Sequence, residues 1–184
     1  MPQKYVFPGG RVDRGDGFAP LAREPREDVL ALMTRVLTPR RARAAAAAAL
    51  RETAEETGLI VGEPAELDPR RIKPEWSPFA EAGAAPAADG LDLVARAITP
   101  PGRTRRFDAW FFQTDAERVC GSDEVCGNGE LEDLRWATLE EAHQLDVPII
   151  TRFVLGELER RLAGGAAPVR CARVTRSGPR FDTL

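Results

Sequence analysis

The stretch LRETAEETGL, residues 50–59, decides how the rest of the chain is interpreted. Its three glutamates, Glu52, Glu55 and Glu56, follow six consecutive alanines and are closed at once by Gly58. In a helix, residues three and four positions apart share one face, so these carboxylates converge on about one turn. Like charges at that spacing repel one another. Some positive partner must therefore offset the repulsion.

A helix over residues 39–57 is predicted to carry this cluster. Thr38 is a typical N-cap, Pro39 suits the first helical position, and Gly58 is a typical C-terminal stop. The alanines suit a helix that packs closely against another backbone. Alanine is also the strongest helix former, so the sequence leaves both explanations of the run open.

The rest of the chain alternates irregularly between predicted strands and helices. The strand 106–115 is apolar on both faces, which is typical of a central strand. The pattern predicts an α/β (α+β) fold with a mixed sheet between helical layers. The full set of expected elements is strands at 4–7, 59–61, 91–99, 106–115 and 131–137, helices at 27–37, 39–57, 139–145 and 150–162, a long loop at 63–90, and a tail at 164–184.

Composition bounds the function. The 184 residues suit one domain, and a formal net charge of −3 argues against a general binder of nucleic acid or membrane surfaces. Nearly all the positive charge is arginine, whose planar guanidinium suits bidentate phosphate contacts, although a coding sequence rich in G and C explains the same bias. Three cysteines and no long apolar run lead us to expect a reduced, cytoplasmic protein.

Two interpretations of the glutamate cluster follow from residue types alone. Hard carboxylate oxygens suit magnesium or manganese, and magnesium usually takes some of its ligands from substrate phosphates. The alternative is a solvated acidic face balanced by Arg51 and neighbouring arginines.

The whole phrase resembles the signature of the Nudix hydrolases, the Nudix box, which is written G-x5-E-x7-R-E-U-x-E-E-x-G-U. In this box U stands for an apolar residue. GELEDLRWATLEEA, residues 129–142, resembles the later strand and helix of that family, and Glu130 falls on its acidic position near the metal. Together these segments cover most of residues 4–162 and imply a Nudix-like α/β/α sandwich at 1–163. The positions that match the box are Gly10, Arg51, Glu52, Glu55, Glu56, Gly58 and Leu59, with Ala48 and Ala49 as the usual alanine pair.

Four departures accompany the resemblance. Asp16 replaces the upstream glutamate with a shorter side chain, and Thr53 replaces an apolar residue. Between Asp16 and Arg51 lie 34 residues where the box has seven, an excess of 27, so we expect a helical insertion at about 17–41. That insertion, with YVFPGGRVD and ARAITPPGRTRRFDAWFF, resembles the peroxisomal coenzyme A pyrophosphatases. The family's strand pair before FPGG is missing; we expect a start assigned too late, or else an edge supplied by a partner chain in a homodimer.

The resemblance implies hydrolysis of a diphosphate bond in a nucleoside diphosphate derivative, with Mg²⁺ or Mn²⁺ held by Glu52, Glu55, Glu56 and the Gly10 carbonyl. Glu130 is the expected general base, and Glu52 or Glu55 is the alternative. Arg51 is expected to orient a box carboxylate, because Glu55 lies four residues further along the helix.

The favoured substrate class is coenzyme A or acyl-CoA. NADH, ADP-ribose or sugar nucleotides are the alternatives, as is a non-catalytic module that binds or senses such a ligand. Arg103, Arg105 and Arg106 follow a Pro-Gly turn and are candidates for gripping the outer phosphates, or else form a solvated basic loop. Asp108 lies inside a predicted strand, so we expect it to pair with a nearby arginine or to contact substrate.

Overall fold

The computed structural model describes residues 4–68, 70–99, 106–164, 168–175 and 178–184. The chain combines helices and strands, as predicted, but its described strands form two sheets rather than one. The helices are α1 (Glu27–Met33), α2 (Pro39–Thr57), α3 (Ser77–Glu81), α4 (Leu139–Gln144) and α5 (Ile149–Leu162), and the strands are β1 (Ile60–Pro64), β2 (Ala84–Pro86), β3 (Asp92–Ile98), β4 (Asp108–Gln113), β5 (Val119–Cys120), β6 (Arg170–Thr175) and β7 (Gly178–Thr183).

The chain divides into two compact units. The first comprises Pro8–Asp92 and Thr114–Trp136 and contains the sheet β2-β1-β5. The second comprises Met1–Phe7, Leu93–Gln113 and Ala137–Leu184 and contains the sheet β4-β3-β6-β7.

Helix α2 is the centre of the first unit and has the predicted bounds. The Thr38 side chain accepts a hydrogen bond from the Arg41 amide, and Gly58 ends the helix with a left-handed φ of 74°. Five consecutive alanines, residues 44–48, are buried on successive faces of the helix. The alanine run therefore serves close packing, against α1, α3, β1 and a short 3-10 helix at Asp16–Phe18.

The small sheet of the first unit is antiparallel. Gly62 on β1 pairs with Pro86 on β2, and Ile60 pairs with Cys120 on β5. A side chain at position 62 would collide with the Ala85 carbonyl, so the pairing needs a glycine there. Trp76 and Phe79 fill the core beneath it.

The second unit is built on a mixed sheet. Strand β6 runs parallel to β3 and antiparallel to β7. Helix α5 places Val154 against Val94 and Ala95 at the centre of the unit's core. Its Glu157 is almost fully buried and forms ion pairs with Arg160 and with Arg170 of β6. The carboxylate therefore ties α5 to the sheet.

Several predicted helices are confirmed. Helix α5 and the capping box of Thr138 and Glu141, which starts α4, are as expected. The helix predicted at 27–37 exists but ends at Met33, and the chain then turns towards Thr38. No helix in the described part of the chain is long and apolar enough to cross a membrane.

Three strand predictions are wrong. Residues 4–7 form no strand, and the Tyr5 amide instead bonds to the Asp146 carbonyl. Residues 131–137 form none, because Asp133 adopts a left-handed φ of 55° that breaks an extended run. Strand β4 was expected at the sheet centre but is terminal among the described strands, and the adjoining Phe107 is 61% exposed.

Two segments expected to be irregular contain regular structure. The predicted loop at 63–90 includes a 3-10 turn at Pro74–Trp76, helix α3 and strand β2. The predicted tail at 164–184 supplies β6 and β7. Local sequence is weak evidence for β6, because its partner β3 lies more than 70 residues away along the chain.

Candidate active site

Arg51 is the hub of the carboxylate cluster on α2. It is only 4% exposed, and its Nε donates to Asp16 Oδ1 at 2.8 Å while Nη2 donates to Asp16 Oδ2 at 3.1 Å. Nη2 also donates to the Arg11 carbonyl at 2.9 Å. Nη1 lies 2.8 Å from Glu52 Oε1 and 2.9 Å from Glu55 Oε2, which confirms the expected contact with Glu55. One guanidinium therefore links the loop before α1 to two box glutamates.

Asp16 occupies the position of the family's longer glutamate and still reaches Arg51 with both oxygens. The short 3-10 helix that begins at Asp16 carries the residue into full burial against α2. Its Oδ2 also accepts a hydrogen bond from the Asp13 amide at 2.7 Å. The backbone therefore compensates for the shorter side chain, because it brings Asp16 to the arginine.

The Pro-Gly-Gly turn lies against the same face of α2. The Gly9 amide donates to Glu56 Oε2 at 2.7 Å, and Gly9 has a φ of 151° that favours glycine. A Cβ on Gly10 would collide with the Glu52 carboxylate. The two glycines therefore let the backbone approach two box glutamates closely.

This face of α2 has more carboxylates than Arg51 can neutralise, because Asp16, Glu52 and Glu55 all pair with that one guanidinium. Burial raises the pKa of Glu55, Arg51 opposes the rise, and Glu52 and Asp16 add to it. Burial also raises the pKa of Glu56; the Gly9 amide opposes the rise, and Glu52, Glu130 and Glu55 add to it. A bound cation would relieve this excess of negative charge.

Glu130 belongs to the same electrostatic group, although it comes from a different part of the chain. It lies in an exposed loop, and its amide donates to Asn128 Oδ1 at 2.9 Å. Its charge contributes to the raised pKa of Glu56. The structure thus brings the predicted general base into electrostatic reach of the box.

The donor set suits a hard divalent cation. Glu52, Glu55, Glu56 and Glu130 supply only carboxylate oxygens, the ligands that magnesium and manganese prefer. Among the described residues, no group of three acidic, histidine or cysteine side chains is already arranged as a metal site. Glu52 and Glu55 each place one carboxylate oxygen on Arg51, and Glu56 places one oxygen on the Gly9 amide.

Two of the predicted substrate-binding residues, Arg106 and Asp108, are described and belong to the second unit. Asp108 pairs with Arg96 through two hydrogen bonds of 2.7 Å, which confirms its expected arginine partner. Arg96 also lies over the Trp110 ring, at 4.8 Å from its centroid. Arg106 is exposed, and Arg103 and Arg105 lie outside the described residues. The substrate-binding role of these four predicted residues stays a prediction.

Comparison with known proteins supports the fold. No protein-family model and no curated protein sequence matches the chain. Its structure is similar to the crystal structure of a NUDIX hydrolase from Alicyclobacillus acidocaldarius, with a TM-score of 0.55 and 24% identity over 84% of this chain and 75% of that chain. The chain has a Nudix-like fold. At this identity the likeness concerns the fold alone.

The sequence did not predict two contacts of the carboxylate cluster on α2. The bond from the Gly9 amide to Glu56 has no side-chain signal, because a backbone group supplies the donor. The double contact of Asp16 with Arg51 had a signal, since an acidic residue follows Gly10 at the spacing of the box.

Proposed function

We propose that the chain is a divalent-cation-dependent hydrolase that cleaves the diphosphate bond of a nucleoside diphosphate derivative. The observation that carries the proposal is the single turn of α2 on which Arg51 fixes Glu52 and Glu55 beside Glu56. This face brings the carboxylates of Asp16, Glu52 and Glu55 to the one guanidinium of Arg51, so the acidic groups outnumber the cation that they share. Burial is the largest cause of the raised pKa values of Glu55 and Glu56.

Glu52, Glu55, Glu56 and the Gly10 carbonyl are the proposed ligands of Mg²⁺ or Mn²⁺. Such a cation, when bound, neutralises phosphate charge and lowers the pKa of water. Arg51 orients the carboxylates rather than touching substrate, because Asp16 and the Arg11 carbonyl already engage it inside the protein.

The reaction transfers one phosphoryl group to water. The water oxygen bonds to one phosphorus, the bridging P–O bond breaks, and its electron pair leaves with the second phosphate. The water proton passes to Glu130, which is exposed and lies within electrostatic reach of Glu56. Glu52 and Glu55 are the alternative bases, but both are held by Arg51.

Coenzyme A or acyl-CoA is the proposed substrate class. The support is the resemblance of YVFPGGRVD and ARAITPPGRTRRFDAWFF to coenzyme A pyrophosphatases, together with the insertion that contains α1. Exposed Arg106 is a candidate for a phosphate contact of such a substrate. NADH, ADP-ribose and sugar nucleotides are the alternative substrates.

A hydrolysis panel tests the proposal. Coenzyme A, acetyl-CoA, NADH, ADP-ribose and ATP are incubated with Mg²⁺, Mn²⁺ or EDTA, and the phosphate products are separated. We expect metal-dependent cleavage of coenzyme A that is lost in Glu56→Gln and retained in Glu66→Gln, which changes an exposed glutamate elsewhere in the same unit. Binding of a panel member without cleavage of any would favour the non-catalytic module and overturn the enzyme.

A further inference from the structure

The loop that carries Glu130 is fastened to the C-terminal end of α2. The Cys126 amide donates to the carbonyl of Thr57, the last residue of the helix, at 2.9 Å. A Cβ built on Gly58 would lie 2.9 Å from the Cys126 carbonyl oxygen and 3.0 Å from its Sγ. Cys126 therefore both satisfies an end carbonyl of α2 and packs on the glycine that stops the helix.

Gly127 brings the loop against Glu56 itself. A Cβ built on Gly127 would lie 2.9 Å from the Glu56 carbonyl oxygen and 2.7 Å from Leu134 Cδ1. Real Cβ atoms do not approach a backbone oxygen this closely, so any side chain at 127 pushes the loop away from the helix. Because residue 127 has no side chain, the loop can lie this close to the backbone of Glu56, whose carboxylate belongs to the candidate site.

The remainder of the loop is tied to itself. Trp136 Nε1 donates to the Asp123 carbonyl at 2.8 Å, and the Glu130 amide donates to Asn128 Oδ1 at 2.9 Å. Glu130 follows Gly127 by three residues, a span of at most about 10 Å along the chain. The position of Glu130 relative to Glu56 therefore depends on the contacts that Cys126 and Gly127 make with the end of α2.

We infer that Cys126 and Gly127 are positioning residues, which anchor the loop on the end of α2 and so set the position of the Glu130 carboxylate relative to Glu56. The anchoring stands on the contacts themselves. Its effect on turnover rests on the proposed function, in which Glu130 takes the proton from water.

Gly127→Ala is the direct test. The added methyl meets the Glu56 carbonyl, so we expect the Cys126 amide to lose its bond to Thr57 and to exchange with deuterium about tenfold faster or more. We expect kcat for the cleaved substrate to fall by about tenfold or more with KM little changed, because the base is displaced while α2 is intact. Mn²⁺ affinity should stay within about threefold of wild type, since the three box glutamates do not move.

Two further variants keep the test decisive. Gly156→Ala adds a methyl inside α5, where no atom of the described residues other than the adjoining helix backbone lies within 4 Å. It should change neither amide exchange at Cys126 nor kcat. Leu134→Ala removes the side chain that packs on Gly127 without adding a clash, and should shift both readouts in the same direction as Gly127→Ala but less. It replaces Gly127→Ala as the test if that variant does not fold.

Each outcome decides a separate claim. If Cys126 amide exchange is unchanged in Gly127→Ala, the anchor is wrong. If exchange accelerates and kcat does not fall, the anchor exists but positions nothing, and the inference is overturned. If wild type cleaves no substrate, the proposed function fails, and amide exchange alone still confirms or overturns the anchoring contact.

Discussion

Removal of the Asp16 carboxylate is the perturbation that tests the hub of the site. Asp16→Ala leaves Arg51 buried without the partner that accepts two of its hydrogen bonds. Breaking one side of a buried ion pair costs about 3–5 kcal/mol. Because Glu55 and the Arg11 carbonyl still accept from Arg51, we expect the lower end, about 3 kcal/mol. For a chain of this size that corresponds to a fall in Tm of roughly 6–12 °C.

Thermal unfolding followed by circular dichroism measures the effect, with Asp13→Ala as the matched control. Asp13 is an exposed aspartate of the same loop, so its removal should cost less than about 0.5 kcal/mol. Asp16→Asn keeps one acceptor oxygen and should lie between wild type and Asp16→Ala. A Tm for Asp16→Ala within about 2 °C of wild type would refute the assignment of Arg51 as a buried hub that depends on Asp16.

Further predictions concern charge and pH. Glu56→Gln should raise the free energy of unfolding by about 1 kcal/mol at neutral pH, because burial and neighbouring carboxylates raise the pKa of Glu56. A carboxyl group with a raised pKa contributes its full stability below the ordinary pKa, and this contribution is lost as pH rises through the pKa of the group in the folded protein. Calorimetric melts of variant and wild type should therefore converge in acid. Glu157→Gln should show the opposite sign. Burial opposes ionisation of Glu157, but Arg170 and Arg160 outweigh burial and lower its pKa. Above the ordinary carboxyl pKa, the free energy of unfolding of Glu157→Gln should be about 2 kcal/mol below that of wild type. This difference should vanish as pH falls through the lowered pKa of Glu157 in the folded protein. Equal effects at all pH values would contradict both assignments. Arg96→Lys loses the two hydrogen bonds to Asp108, and its free energy of unfolding, measured by chemical denaturation, should fall by about 1 kcal/mol. An unchanged free energy of unfolding would show that the fold does not need this pair.

The geometry of the carboxylate cluster on α2 was more predictable from sequence than the sheets were. Helix α2 has strong local signals at both ends, in Thr38, Pro39 and Gly58, and its bounds were predicted correctly. Once that helix is fixed, the spacing of Glu52, Glu55 and Glu56 places them on one turn, and Arg51 meets Glu55 through the i, i+4 geometry.

The errors occur where contacts between distant residues override local pattern. Strand β6 is held by parallel pairing with β3 and by the ion pair between Arg170 and Glu157. Both interactions join residues that lie too far apart in the sequence for a local pattern to show them. The apolar residues of 106–115 suggested a central strand, but pairing order places β4 at the end of the described sheet. The Gly9 contact with Glu56 was missed because a backbone amide carries no residue identity.

Manganese titration shows directly whether the glutamates of α2 hold a divalent cation. Free Mn²⁺ is measured by electron paramagnetic resonance during titration of wild type, Glu56→Gln and the exposed-site control Glu66→Gln. We predict saturable binding to wild type and to Glu66→Gln, weakened by roughly tenfold or more in Glu56→Gln. No binding to wild type, or equal affinity in Glu56→Gln, would show that these glutamates do not form a cation site.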